Sequence, residues 1–546
     1  MGYSFDAKRM KPPQKITFIF VFFAVGLFGM IARSQSLDQI GVTLLRAVTT
    51  NVNGSGIRVA QPEADYDLGT NWEVNPWTVG QPAGNFTYIS GNGSTTNFPN
   101  SLSSESGHAD SVAQNFYGMF GGVATNVTHV DNYDANDFVQ VNEFVTATAT
   151  NYTASLPPSN INDPVVSQSF TFGVLPINEQ QAIDSAYDNY AARFNTLFVS
   201  AANNGGPVSA PGTSYNCISV GAYGGSSSYG PTLDNGRAKP DITAPAGVTS
   251  FSTPQVAGAA AVLMQAGLRG DGGGDTNSAA NIRTVKALLF NGAVKPADWT
   301  NNPPSPLDPR YGAGVLNVFN SYKQLAGGKH GYIFSTNVPT GTGHPPAGAA
   351  NFVSAMSGWD FNTNSSSATA DGVNHYFFNV TNSAGDAAFT ATATLVWNRH
   401  QFKTGINNLG INNLDLFLYD AISSNLVACS TSLVDNVEHI FLPKLAPGRY
   451  DLQVWKAGGA GMVSAAEPYA LAWEFFSTSL NGAKSGTDMM ISWPVYPDGF
   501  VLQTATNLVP PVAWDTNNPA PTVTNNQNVI RLTATNANQF FRLWRP

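Results

Sequence analysis

"GVTSFSTPQVAGAAAVL", residues Gly247–Leu263, is the stretch on which the reading of this chain turns. Ser250 stands at the head of a run of small apolar residues, and Pro254 follows four positions later. The run is apolar on every side, which predicts a helix over about 250–267 buried on all faces. Proline is tolerated in a first helical turn, where no N–H donor is required. A serine in this position can cap the helix through its hydroxyl. It can also act as a nucleophile, because the unpaired N–H groups and partial positive charge of a helix N-terminus favour developing negative charge. On this stretch alone both readings stand.

The flanking segments alternate between strand and helix patterns from about residue 36 to 328. "GIRVAQPEA" (Gly56–Ala64), "VVSQSF" (Val165–Phe170), "TLFVSAANNGG" (Thr196–Gly206) and "NCISVGAYGG" (Asn216–Gly225) read as strands. "NEQQAIDSAYDNYAARF" (Asn178–Phe194) carries Ala182, Ile183, Ala186 and Tyr190 at helical spacing. This alternation predicts an α/β layered domain with a mostly parallel sheet. Beyond about residue 330 the pattern becomes all-β. In "LDLFLYD", Leu414, Leu416 and Leu418 alternate with Asp415, Phe417 and Tyr419, as in an antiparallel sandwich. The expected organisation is a domain at 35–328, a β-sandwich at 331–478 and a small β module at 480–546.

The chain has 546 residues and a formal net charge of -9. Nothing in it resembles a basic stripe, which argues against a nucleic-acid partner. Two cysteines, Cys217 and Cys429, exclude a disulfide framework and a cysteine-rich zinc site. Near the N-terminus Lys8, Arg9, Lys11 and Lys15 precede an apolar run, Ile16–Ala32. Ala32 and Ser34 then fit a cleavage site before Gln35. This pattern predicts a signal peptide at 1–34 and a secreted or cell-envelope protein.

A serine nucleophile needs a general base, and the base needs a carboxylate to orient it. Two histidines, His108 and His129, precede Ser250. Here the order of motifs resembles the subtilisin-like serine peptidases, the subtilases. Their nucleophile motif, Gly-Thr-Ser-x-Ala-x-Pro-x-Val-Ala-Gly, is matched by "VTSFSTPQVAG" at Thr249, Ser250, Pro254, Val256, Ala257 and Gly258. "HADSVA" is similar to their histidine segment, and "GRAKPDITAP" to their approach to the nucleophile. The resemblance implies Ser250 as nucleophile, His108 as base and Glu63, in "VAQPEA", as the acid. It implies Asn204, in "VSAANNGG", as oxyanion donor, and "VVSQSF", with Ser167 and Ser169, as the strand that meets bound peptide.

Four departures stand out. Glu63 replaces an aspartate, Asn203 replaces a glycine, Val248 replaces a glycine, and the approach to Ser250 is short. Asp65 is a second acid candidate. Ser214, in "PGTSYN", repeats Gly-Thr-Ser but reads as a turn. The implied function is a secreted serine endopeptidase acting on proteins or peptides. Its alternative is an inactive subtilase-fold protein for extracellular binding or adhesion. The chemistry calls for no cofactor. Structural calcium is an option, although Asp131, Asp134 and Asp137 lack regular ligand spacing.

Residues about 355–475 resemble the bacterial pre-peptidase C-terminal domain through "LDLFLYDA" and "LAPGRYDLQVW". The C-terminal modules are candidates for cell-surface or polysaccharide contact. Trp493, Trp514 and Trp544 are read as core residues or, less readily, as a sugar-binding face.

Overall fold

The computed structural model describes residues 37–544 apart from 65–70, 91–92, 136–137, 139–145, 148–151, 154–160, 334–352, 354, 382–387, 402–408, 478–479, 486, 495–499, 510, 525–526 and 534–537. The expected signal peptide, Asp65 and Asp137 therefore lie outside the described residues.

Eight strands form the main sheet: β1 Arg58–Glu63, β2 Phe86–Ile89, β3 Thr95–Thr96, β4 His129–Asp134, β5 Val165–Gln168, β6 Leu197–Ala201, β7 Ile218–Tyr223 and β8 Ile242–Pro245. Their order is β8-β7-β6-β5-β1-β4-β2-β3. All neighbours pair in parallel except the β2–β3 edge hairpin. The inner strands are buried along nearly their whole length, as a parallel sheet covered on both faces requires. After β1 the chain runs to one flank of the sheet, and β5 returns on the other. The carboxyl ends of β1 and its neighbours thus form a topological switch point, where α/β sheets place their sites.

The principal helices are α1 Gly107–Phe116, α2 Ile177–Phe194, α3 Thr249–Leu268, α4 Ile282–Gly292 and α5 Val318–Ala326. Helix α3 is the predicted all-buried helix: of its 20 residues only Phe251 and Leu268 are not buried. It lies across β5 to β8 and also packs on α1, α4 and α5. Small residues permit that density. A Cβ on Gly258 would lie 2.6 Å from the Val123 Cβ and 3.1 Å from the Phe116 carbonyl oxygen at the end of α1.

The second half is built from two four-stranded antiparallel sheets in a sandwich-like arrangement. One has the order β9 (Ser357–Ser365), β16 (Ala466–Phe476), β11 (Phe389–Trp397), β14 (Val437–Leu445). The other has β10 (Gly372–Val380), β15 (Gly448–Lys456), β12 (Leu414–Asp420), β13 (Leu426–Ser430). Leu414, Leu416 and Leu418 are buried as the alternation predicts. A last pair of small sheets spans Asn481–Trp544. Trp493 is buried in its core, Arg542 stacks over Trp514 at 4.2 Å, and Trp544 is 41% exposed. Burial of Trp493 removes it from any sugar-binding face. Cys217 and Cys429 are both free.

The first two parts share one apolar core, since Trp359, Val396, Val437, Ala470 and Ala472 join the cluster built on α3 and the main sheet.

Candidate active site

Glu63 ends β1, buried at the carboxyl edge of the sheet. Its Oε2 lies 2.8 Å from His108 Nδ1. Its Oε1 accepts a 2.8 Å hydrogen bond from Gln61 Nε2. Gln61 and Glu63 are two apart on a strand and so share a face. Gln61 Nε2 also donates to the Ala109 carbonyl at 3.0 Å, and Tyr117 OH donates to Gln61 Oε1 at 2.6 Å. The acid, the helix that carries the histidine and a buried tyrosine are therefore joined through one amide. Sequence reasoning missed Gln61, although its parity with Glu63 was there to read.

His108 is the second residue of α1, which Ser106 caps by accepting from Ala109 N–H at 3.3 Å. Its side chain is 9% exposed, and its ring lies 6.0 Å from that of Phe251 in α3. His129 sits elsewhere, on β4. Its Nε2 is 3.0 Å from Thr87 Oγ1 and 3.1 Å from Asp131 Oδ1.

The structure answers the capping question at Ser250 by position. The N-cap of α3 is Val248, extended at φ -148° and ψ 159°, with no capping side chain of its own. Asn204 supplies the cap from outside the helix. Its Oδ1 accepts from Thr249 N–H and from Thr249 Oγ1, each at 2.8 Å. That commits the carbonyl end of the amide and leaves the Nδ2 end uncommitted among the described residues. Asn203 holds the positive φ, 98°, expected of the residue that replaces glycine. Its Oδ1 accepts from Asn204 N–H at 2.7 Å.

Ser250 is the second residue of α3 and 2% exposed. Pro254 has no N–H to give the Ser250 carbonyl, which would otherwise be orphaned four residues back. Ser169 fills that place, its Oγ donating to Ser250 O at 2.9 Å. Ser169 thus braces the helix start from the chain after β5. Ser167 is wholly buried inside β5, opposite Val199, with its hydroxyl unpartnered.

Ser214 lies in a buried turn closed by its N–H on the Pro211 carbonyl, and its hydroxyl donates to Asp184 Oδ1 at 3.1 Å. Two residues after His108, the Asp110 carboxyl is pushed up to about 8 by burial and by its hydrogen bond with Glu105. Among the described residues no three His, Cys, Asp or Glu side chains are grouped to hold a metal ion.

Residues 85–314 match the subtilase family. The match covers less than half of the chain and indicates a serine-type peptidase hydrolase there. His108, Asn204 and Ser250 lie inside the matched segment, and Glu63 lies before it. No curated protein matches the chain.

Proposed function

We propose that the chain is a secreted serine endopeptidase working through Glu63, His108 and Ser250. The observation that carries this reading is the 2.8 Å Glu63–His108 hydrogen bond at the switch point of the sheet. The His108 ring lies 6.0 Å from that of Phe251, the residue after Ser250 in α3.

In this mechanism Ser250 Oγ attacks the carbonyl carbon of a peptide bond as His108 takes the hydroxyl proton. Glu63, acting through Nδ1, fixes the imidazole tautomer and supports the imidazolium. The carbonyl oxygen becomes an oxyanion facing Asn204 Nδ2 and the first-turn N–H of Ser250. Collapse breaks the C–N bond, and His108 returns the proton to the leaving amine. Water then attacks the acyl-enzyme by the same route, releasing the acid and restoring Ser250. The longer Glu63 is accommodated because Gln61 holds its second oxygen in line. The chemistry draws on no cofactor.

Labelling with a fluorophosphonate tests this reading. Wild type is expected to form an adduct on Ser250, and Ser250→Ala to form none. Absence of label on folded wild type would leave the inactive binding protein as the better account. For the β modules, attachment to a cell surface or polysaccharide, and the pre-peptidase C-terminal likeness of the sandwich, remain part of the proposal.

A further inference from the structure

A cavity of about 500 Å³ opens where the three parts of the chain meet, away from Glu63, His108 and Ser250. Lys295, Trp299 and Asn320 line it from the first part, Phe441 and Phe476 from the sandwich, and Phe500 from the last module. One of its polar groups has no counter-ion and another has an acceptor without a donor. Lys295 Nζ donates to the carbonyls of Ala313 at 2.6 Å and Ala293 at 3.2 Å. An ammonium has three donors; this one also lies 5.2 Å from the Trp299 ring centre and 5.5 Å from that of Phe441, and among the described residues no carboxylate pairs with it. Asn320 is 1% exposed, donates through Nδ2 to the Gly292 carbonyl at 3.0 Å, and accepts nothing at Oδ1.

We propose that this cavity binds an N-acylated amino acid or the last residue of a peptide, with an apolar side chain and a free carboxylate. The carboxylate meets Lys295. The amide N–H supplies the donor that Asn320 Oδ1 lacks. The apolar side chain packs among Trp299, Phe441, Phe476 and Phe500, in the pattern of an apolar pocket with a few convergent polar groups. The Lys295 environment agrees with a missing counter-ion, since burial pushes its ammonium down to about 7. The neighbouring His439, 5.8 Å from Trp299, is itself held neutral by burial and by Lys295. The inference is independent of whether Ser250 is active.

Titration calorimetry on the full chain, carried out in the Ser250→Ala background, tests it with two probes. N-acetyl-L-phenylalanine carries the carboxylate, and N-acetyl-L-phenylalaninamide replaces it with a neutral amide. The acid is expected to bind saturably and the amide roughly tenfold more weakly or worse. Lys295→Met is expected to weaken the acid to the level of the amide. Equal binding of acid and amide, no binding of the acid, or acid binding untouched by Lys295→Met would each overturn the proposal. The acid–amide comparison needs no change at Lys295, so it stands even if that variant fails to fold.

Discussion

Asn204 is proposed to perform two tasks with the two ends of one amide. Its oxygen caps α3 at Thr249, and its nitrogen is the oxyanion donor. Replacing Asn204 by aspartate separates the tasks, because the acceptor stays and the donor goes. Asn204→Asp is expected to lower kcat by roughly 10²–10³, the range seen when one such donor is removed from a serine peptidase. Its melting temperature should stay near wild type, since a carboxylate suits a helix N-terminus. Unchanged kcat would remove Asn204 from the reaction. A second residue-scale expectation concerns Gln61. Gln61→Leu deletes a hydrogen bond to a carboxylate, worth about 1.5–3 kcal/mol. In the proposed reaction it should cut kcat/KM by roughly tenfold or more, mainly through kcat. A loss confined to KM would refute the positioning role. Neither residue's full role was legible beforehand. The resemblance implied the donor end of Asn204, but its cap on Thr249 joins residues 45 apart. Strand parity puts Gln61 on the face of Glu63, but its bonds to Ala109 O and Tyr117 OH join residues 48 and 56 positions away.

At the scale of elements, α3 was the most legible part of the fold because a helix with small apolar residues on every side has one home, the interior. The brace on its first turn was half legible. Pro254 announces an unpaired carbonyl at Ser250, but only the folded chain shows Ser169 reaching across 81 positions to meet it. Ser169→Ala leaves that buried carbonyl without a donor and should cost about 1–3 kcal/mol. Pro254→Ala restores the helical N–H. The double variant should therefore lose less than Ser169→Ala alone, a coupling that urea melts measure directly. Strictly additive losses would mean the Ser169 hydroxyl does not serve the proline gap. The β-sandwich strands were legible for a different reason: period-two alternation with one face buried leaves little choice of register.

At the scale of the molecule, charge buried between the parts was invisible in advance, because its partners lie about 200 residues apart. Arg399, from the sandwich, pairs with Asp188 of α2 at 3.2 Å and stacks over Tyr215 at 4.5 Å. Arg237 covers the same ring at 3.8 Å. Arg399 N–H donates to Asn216 Oδ1 at 2.8 Å, and Asn216 Nδ2 returns a bond to the Arg399 carbonyl at 3.1 Å. Asn436 Nδ2 ties Trp397 O to Tyr215 O at 2.7 and 3.0 Å. Buried carboxyls elsewhere set a pH dependence. Asp163 is pushed up to about 9 by burial and by Asp131, and Asp110 to about 8. A carboxyl raised in the native state holds a proton that the unfolded chain has released above about 4. Stability from these two is therefore full below that pH and lost as pH rises toward 8–9. Asp163→Asn should raise the melting temperature at pH 8 and leave it unchanged at pH 4; equal effects at both would refute the assignment. The ionic joint makes the stronger demand. Removing Arg399 leaves Asp188 buried without its cation, a change that costs about 3–5 kcal/mol when one partner of such a pair is lost. Since the apolar core is also continuous across the joint, that loss cannot stay on one side of it. Arg399→Met should lower the unfolding of the main-sheet domain and the sandwich together, as one calorimetric transition displaced downward. Two separate transitions, with only the sandwich displaced, would show that the joint does not bind the two parts into one cooperative unit.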